Sequence, residues 1–577
     1  MSAADMSSDD DEDVEAAERR MKREMAEMSK KDPDFHKYLQ ENEGNLLQYG
    51  EGEGGGDSGD DGEDANMDAA DDDDEAAAAP GKKSRGRDDD DDDEPRDNRP
   101  ILGVSLLRAM ERSAFRGHSA KGLKKVVSAY RSACHLSEEA SGDDAGATRA
   151  GYRIDDSAVF DRLMLVALRG CHVEFRRHLL GEETKKGGKG DKDDDADVTA
   201  PEIDENKPVN PKLLQRSGKW DELRTYLQLF LRSSLHLLSE AKEPALLSFV
   251  LKSLSPYVPL LTPFPKLAKS FLQTLSKLWS APLDTSEEYQ VVRLRSFLRV
   301  RQLAVTQPFP FVEDCLKSSY LCYARRAKFG TAASVHSALP TLTFMGNCVV
   351  ELYSLDYASS YRHAFVYIRQ LALHLRTALQ RRTPESLRVV YCWQYVHCLR
   401  LWAAVLSAAC ASATRGGDGG GGGDEAKLMK SLVYPLTEVI LGTARLVPTA
   451  RHLPLRLHCV RMLQQLASSS ESFIPAASLL LEALDLREFR TRPKKVRAGK
   501  SDAAGTALRL PVVLKLPRDT ALRTSEQVDA CLAEMFVLLN READLYRYSP
   551  AFPELSVRIV QRLRHFSKEV QGGKDGG

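Results

Sequence analysis

From Trp220 to Leu406 the apolar side chains recur at helical spacing, and this periodicity restricts the chain more than any other feature. After Trp220, the positions Leu223, Leu227, Phe230, Ser234 and Leu237 fall three and four apart, with Arg224 and Arg232 placed elsewhere on the helix surface. Phe365, Ile368, Ala372, Leu375 and Leu379 repeat the spacing and predict a second buried stripe. Val390 to Leu406 is apolar nearly all round, which predicts a helix buried between neighbours. Prolines at 244, 256, 282, 308, 340, 384, 454, 475 and 550 punctuate the pattern, several where a new helix would begin. Helices of roughly 12 to 20 residues joined by short Pro-containing turns are the material of helical-repeat solenoids. No exact period is present, so irregular repeats are expected, with a compact non-repeat helical domain as the alternative. The run LRLPVVLKLP at 508–517 is the one extended-looking piece, and its two prolines argue for an arm across the helical surface rather than a central strand.

Charge is divided unevenly along the chain. Residues 1–99 hold 35 acidic and 13 basic side chains, and the remainder holds 49 and 68. An acidic tail on a basic body is an asymmetry that suggests contact with nucleic acid. Residues 50–99 are of low complexity, with too little apolar surface to offset the entropy of ordering. Breaks in the pattern give the expected organisation: an acidic, mostly disordered region 1–99 with a short helical motif at 31–47, and a helical segment 100–180. A charged linker 181–210 leads to a helical-repeat core 211–489 with a flexible Gly-rich loop at 416–425. A basic linker 490–506 then precedes an extended arm and C-terminal helices over 507–568.

The ten cysteines are scattered, with no C-x-x-C, and several lie in apolar helical patterns where a free thiol behaves as a small hydrophobe. The N-terminal MSAADMSSDDDEDVE is unlike a secretory signal, and the most apolar run, Leu401–Ala413, is too short to span a bilayer. A soluble protein in a reducing compartment is expected.

No P-loop, dinucleotide fingerprint, H-E-x-x-H or G-x-S-x-G pattern occurs. His172 and His178 are six apart, on different faces of a helix, and His363, His374 and His397 fit structural positions. The chain is expected to have no catalytic residues, no metal and no cofactor. Three features could carry binding. Arg487–Lys500 holds seven basic residues against Glu488, and its core Arg492, Lys494, Lys495 and Arg497 resembles a nuclear-import signal that could also meet phosphate; the alternative is a solvated linker. In KDPDFHKYLQENEGNLL (31–47), Phe35, Tyr38 and Leu39 sit at i, i+3 and i+4, the anchor pattern of a helix laid in a partner groove or folded back on its own body. Basic residues also recur on the body helices: Lys124, Lys125, Arg131, Arg176 and Arg177, then Arg293, Arg295, Arg299, Arg301, Arg325, Arg326 and Lys328. They could form a phosphate-binding surface or simply solvate the helices.

Several long strings are similar to blocks of the nucleolar complex protein 2 family. They include KDPDFHKYLQEN, YSLD (353–356), HAFVYIRQLALHLR (363–376), WQYVHCLRLW (393–402), SLVYPLTEVILGTARLVPTARHLPLRLHCVRMLQQL (431–466), FIPAASLLLEAL from Phe473, and residues 513–560. The specific resemblance spans residues 300–564, with a weaker helical match from Leu102; the Gly-rich insert and the Asp-rich tail carry no family motif. The resemblance implies an armadillo- or HEAT-like helical protein of the nucleolus and nucleoplasm. It also implies heterodimers with two other nucleolar complex proteins, early and late, and a non-catalytic role in large-subunit (60S) ribosome biogenesis, in precursor processing and intranuclear transport. Pre-rRNA, large-subunit proteins and an import receptor are the expected partners; neither a membrane nor a small-molecule substrate is. The competing expectation is a nuclear transport adaptor or histone-binding regulator built on a similar solenoid.

Overall fold

The computed structural model describes residues 100–136, 151–180, 207, 210–281, 286–328, 332–415, 427–490, 509–517 and 525–572, all within one compact unit, Arg96–Gly577. Regular structure among them is helical, apart from an isolated parallel bridge between Ile101 and Arg153. Helix α1 (Val104–Glu111) runs on into a π-helical turn at Arg112–Arg116, followed by α2 (Ala120–Cys134) and α3 (Ser157–Leu180). Next come α4 (Trp220–Glu240), α5 (Pro244–Ser253), α6 (Pro265–Ser280), α7 (Glu287–Thr306) and α8 (Phe311–Arg326). The middle holds α9 (Ala332–Tyr353), α10 (Tyr357–Arg381) and α11 (Trp393–Arg415). The last group is α12 (Val433–Arg445), α13 (Leu453–Ser470), α14 (Ala477–Ala483), α15 (Ser525–Tyr546) and α16 (Phe552–Gly572).

Local chemistry explains many of these boundaries. Asp356 accepts hydrogen bonds from the Ala358 and Ser359 amides and so caps α10; Ser119 caps α2 through the Gly122 amide. Pro244, Pro265, Pro384 and Pro454 stand at first or second helical positions, where a missing N–H has no intrahelical partner to lose. Pro340 does not act as punctuation: it lies inside α9.

Each helix packs chiefly on the next one or two in the chain, and no substantial helix–helix packing reaches further than three helices along. This is the contact pattern of a stacked helical array. At its start, Tyr130 of α2 stacks on Phe230 of α4 at 4.6 Å, and its hydroxyl lies 3.0 Å from Ser234 Oγ. That bond explains a serine at a core position of α4. Tyr257 Oη donates to Ala167 O at 2.9 Å and accepts from the His172 amide at 3.1 Å, tying α3 to the segment after α5.

The apolar stretch around α11 is longer than the run that stands out in the sequence: Pro384–Thr414 has the length and composition of a membrane-crossing helix. It is instead packed within the array, with 67% of its most apolar window buried. Residues 509–517 return over the array. Leu510, Leu514 and Leu516 are buried, the Leu516 amide donates to Arg451 O at 2.7 Å, and the turn Leu510–Val512 lies against α9.

Candidate interaction surfaces

The aromatic-rich region from α9 to α11 is core. Trp402 is fully buried, with the rings of Tyr320, Tyr353 and Tyr367 at 5.2, 5.4 and 6.0 Å. Tyr353 Oη donates to Leu316 O and Tyr395 Oη to Leu371 O, so both phenols bury their polar end with a partner. Burial lowers the His363 pKa to about 4 and the His397 pKa to about 3, with nearby Lys317 and Arg400 adding to the two effects respectively. His458 is also pushed down to about 4 by burial; its Nε2–H donates to Val513 O in the returning segment, while Nδ1 faces Arg461. These imidazoles are neutral structural groups at neutral pH. The ten cysteines are free thiols, eight of them buried, and burial raises the thiol pKa of Cys134, Cys398 and Cys459 to about 12. Such thiols are unreactive. Among the described residues no group of His, Cys, Asp and Glu could hold a metal ion, and a small apolar slot lies between Leu231, Tyr257, Phe271 and Leu303.

The basic residues singled out from the sequence have separate fates. Arg293 is buried; it donates to Thr341 Oγ1 at 3.1 Å and to Ala281 O at 3.0 Å. Arg295 bonds the Ser248 carbonyl and hydroxyl, Arg301 pairs with Glu351, and Arg176 donates to Pro256 O. Lys124 pairs with Glu222 at 2.8 Å. Arg131, Arg177, Arg299 and Arg326 are half-buried, which leaves Lys125, Arg325 and Lys328 exposed. Much of the expected cationic surface is therefore internal scaffolding: the guanidiniums bond carbonyls of neighbouring helices. Arg492, Lys494, Lys495 and Arg497, and Phe35, Tyr38 and Leu39, lie outside the described residues.

Two kinds of surface residue escape the sequence reading. Val291, Leu294 and Leu298 form an exposed apolar stripe on α7, and Phe365 and Leu379, expected in the core, are exposed on α10. Ile368 and Leu375 are buried as expected, and Leu371 and Ala378, outside the expected stripe, are buried with them. The second kind is cationic: Arg108, Arg112, Arg116 and Lys121 are exposed, and none is in an ion pair among the described residues. The four-residue spacing of Arg108, Arg112 and Arg116 was the signal available in the sequence.

Residues 310–575, from α8 onward, match the family model described as the Noc2p family. Over this stretch the chain is similar to the Noc2p family. It is 30% identical to Nucleolar complex-associated protein 2 of Arabidopsis thaliana over 95% of its own length and 63% of that protein. An uncharacterized NOC2 family protein of Schizosaccharomyces pombe is 28% identical over 99% of this chain and 70% of its own. Nucleolar complex protein 2 of Drosophila melanogaster is 28% identical over 78% of this chain and 51% of its own. The chain thus spans about half to two thirds of the length of the plant and fly relatives. The Noc2p match covers the buried aromatic cluster, α10 and the returning segment, whereas α1 to α7 lie before it.

Proposed function

We propose that this protein is a non-catalytic assembly factor of the nucleolus and nucleoplasm, acting on precursors of the large ribosomal subunit. The observation that carries the reading is the Noc2p match across the helical array from α8 onward, together with relatives named as nucleolar complex proteins. In this reading the chain works as a heterodimer with other nucleolar complex proteins, an early and a late one, and supports pre-rRNA processing and transport of the particle through the nucleus. The exposed apolar stripe Val291–Leu294–Leu298 suits a protein partner, because three aliphatic side chains at i, i+3 and i+7 present a helix-docking face. Arg492, Lys494, Lys495 and Arg497 would serve nuclear import, and Phe35, Tyr38 and Leu39 would anchor a partner.

Purification of the native complex tests the proposal. Precursor rRNA and large-subunit proteins should co-purify with the chain. Recovery of importins or nucleosomes without precursor rRNA would overturn it in favour of a transport adaptor or histone-binding regulator. Changing the four linker cations together to Ala should reduce nuclear accumulation; normal accumulation would make that segment a plain linker.

A further inference from the structure

From Ile101 to Cys134 there are seven Lys and Arg residues and one acidic residue, Glu111. Glu111 is occupied by Arg162 at 2.7 Å, an arginine from α3. Lys124 is taken by Glu222, and Arg131 is half-buried. Arg108, Arg112, Arg116, Lys121 and Lys125 remain, all exposed and without an ion pair among the described residues.

Backbone geometry aligns the three arginines. Four residues along an α-helix overshoot a full turn by about 40° and advance about 6 Å. Arg108 to Arg112 takes that step. Arg112 to Arg116 crosses the π-helical turn, which has more residues per turn, so the same four residues fall short of a full turn. The two offsets oppose each other, and Arg116 returns to the line of Arg108. After Gly117 the chain reverses through His118, whose φ is 46°. Gly122 then brings the start of α2 against the π turn: a Cβ there would lie 2.7 Å from the Ala114 amide nitrogen and from Ser113 Oγ. The start of α2 thus packs on the Ser113–Ala114 side of the π turn, and the face is the arginine row, with Lys121 and Lys125 exposed on the next helix. Phe115 is tucked against Gly170 of α3, where a Cβ would come within 2.5 Å of its ring, and so is not available to stack on a base.

We propose that this face binds the phosphate backbone of RNA without reading its sequence. The inference rests on the reading that the protein works on an RNA-containing particle, and assigns a contact surface within it. Guanidiniums one helical turn apart have a spacing comparable to that of successive phosphates on a strand, and each neutralised phosphate releases counterions. The absence of an exposed aromatic from the row leaves backbone contact as its chemistry. A membrane surface fits less well: Leu107, Met110, Leu123 and Val127 are buried in the protein, and the exposed large aliphatics of α1 and α2 are Val104 and Leu106 alone.

The test uses the full chain, with fluorescence anisotropy on a short oligouridine and on an RNA duplex across a salt series. Arg108→Glu/Arg112→Glu/Arg116→Glu should weaken both by more than about tenfold at low salt. It should also flatten the slope of log K against log salt for oligouridine by about 2, the value for three single-strand phosphate contacts. A control with the same charge change on exposed residues of α6 and the α8 end, Lys266→Glu/Arg325→Glu/Lys328→Glu, should stay within about threefold of wild type. Circular dichroism and the urea midpoint check that both variants fold. Unchanged RNA affinity in the first variant, or equal losses in the two, would overturn the assignment. Stronger competition by polyglutamate than by unlabelled oligouridine would transfer the face to an acidic protein. If native purification recovers no ribosomal precursor while the arginine variant still loses oligouridine, the face stands and the particle reading falls; the reverse result removes the face alone.

Discussion

The first two helices and the α7–α8 pair are both rich in basic residues, yet they use them in opposite ways. On α7, Arg293, Arg295 and Arg301 bond neighbouring helices, and Arg293 is deeply enough buried that desolvation lowers its pKa. On α1, the π turn and α2, five cations are exposed and none is in an ion pair among the described residues. Equal richness in Lys and Arg thus hides two functions: inter-helix bracing in the middle of the array, and a solvated field at its start. A guanidinium can serve the first because its five donors reach several carbonyls at once while its stem packs as a hydrocarbon.

The largest expected effect is acid sensitivity on the bracing side. His363, His397 and His458 have folded pKa values lowered to about 4, 3 and 4. Because these lie below the unfolded value, the stability associated with neutral imidazole is fully present above about pH 6.5 and is lost as pH falls toward the folded values. At pH 5 the loss is about 2 kcal/mol per histidine relative to pH 7. Glu542, whose carboxyl pKa is raised by burial, acts with the opposite sign and offsets part of it. Urea denaturation at the two pH values measures the sum, and an unchanged midpoint would contradict the neutral-histidine core.

Next in size is Arg293→Ala, expected to destabilise by about 3 kcal/mol, since it empties a buried site and strands the Ala281 carbonyl. Arg112→Ala should leave the urea midpoint where it was, and similar losses at both positions would erase the contrast between the regions. Gly122→Ala should cost about 2 kcal/mol because its neighbours at 2.7 Å include backbone. The smallest effect is expected at Lys124→Ala, whose partly exposed pair with Glu222 is screened by water, so no measurable change in the midpoint should follow.

The all-helical class was legible because α4 follows a simple rule: Leu223, Leu227, Phe230, Ser234 and Leu237 are all buried as their spacing predicts. The α10 stripe was only half legible. Its sequence is apolar on too broad an arc, and the choice between Phe365 and Leu371 for the core depends on where α8, α11 and α12 lie against it, which no local pattern encodes. The cationic residues failed for a related reason. Basic residues were visible, but whether an arginine braces or solvates depends on carbonyls and carboxylates brought from some 50 to 100 residues away, as with Arg301 and Glu351 or Lys124 and Glu222. The π turn that aligns Arg116 with Arg108 leaves no sequence mark that was recognised.

Order of synthesis gives the returning segment 509–517 a distinct place. Most helices of the array meet their partners within the next few helices to emerge, so the structure can consolidate progressively from the N-terminal side. The turn at Leu510–Val512 instead docks on α9, a helix completed more than 150 residues earlier, and its neighbour Val513 accepts the His458 hydrogen bond from α13. It is a late clasp: α9 and α13 can be made and stacked before it arrives, and it closes over them once the chain has passed residue 517.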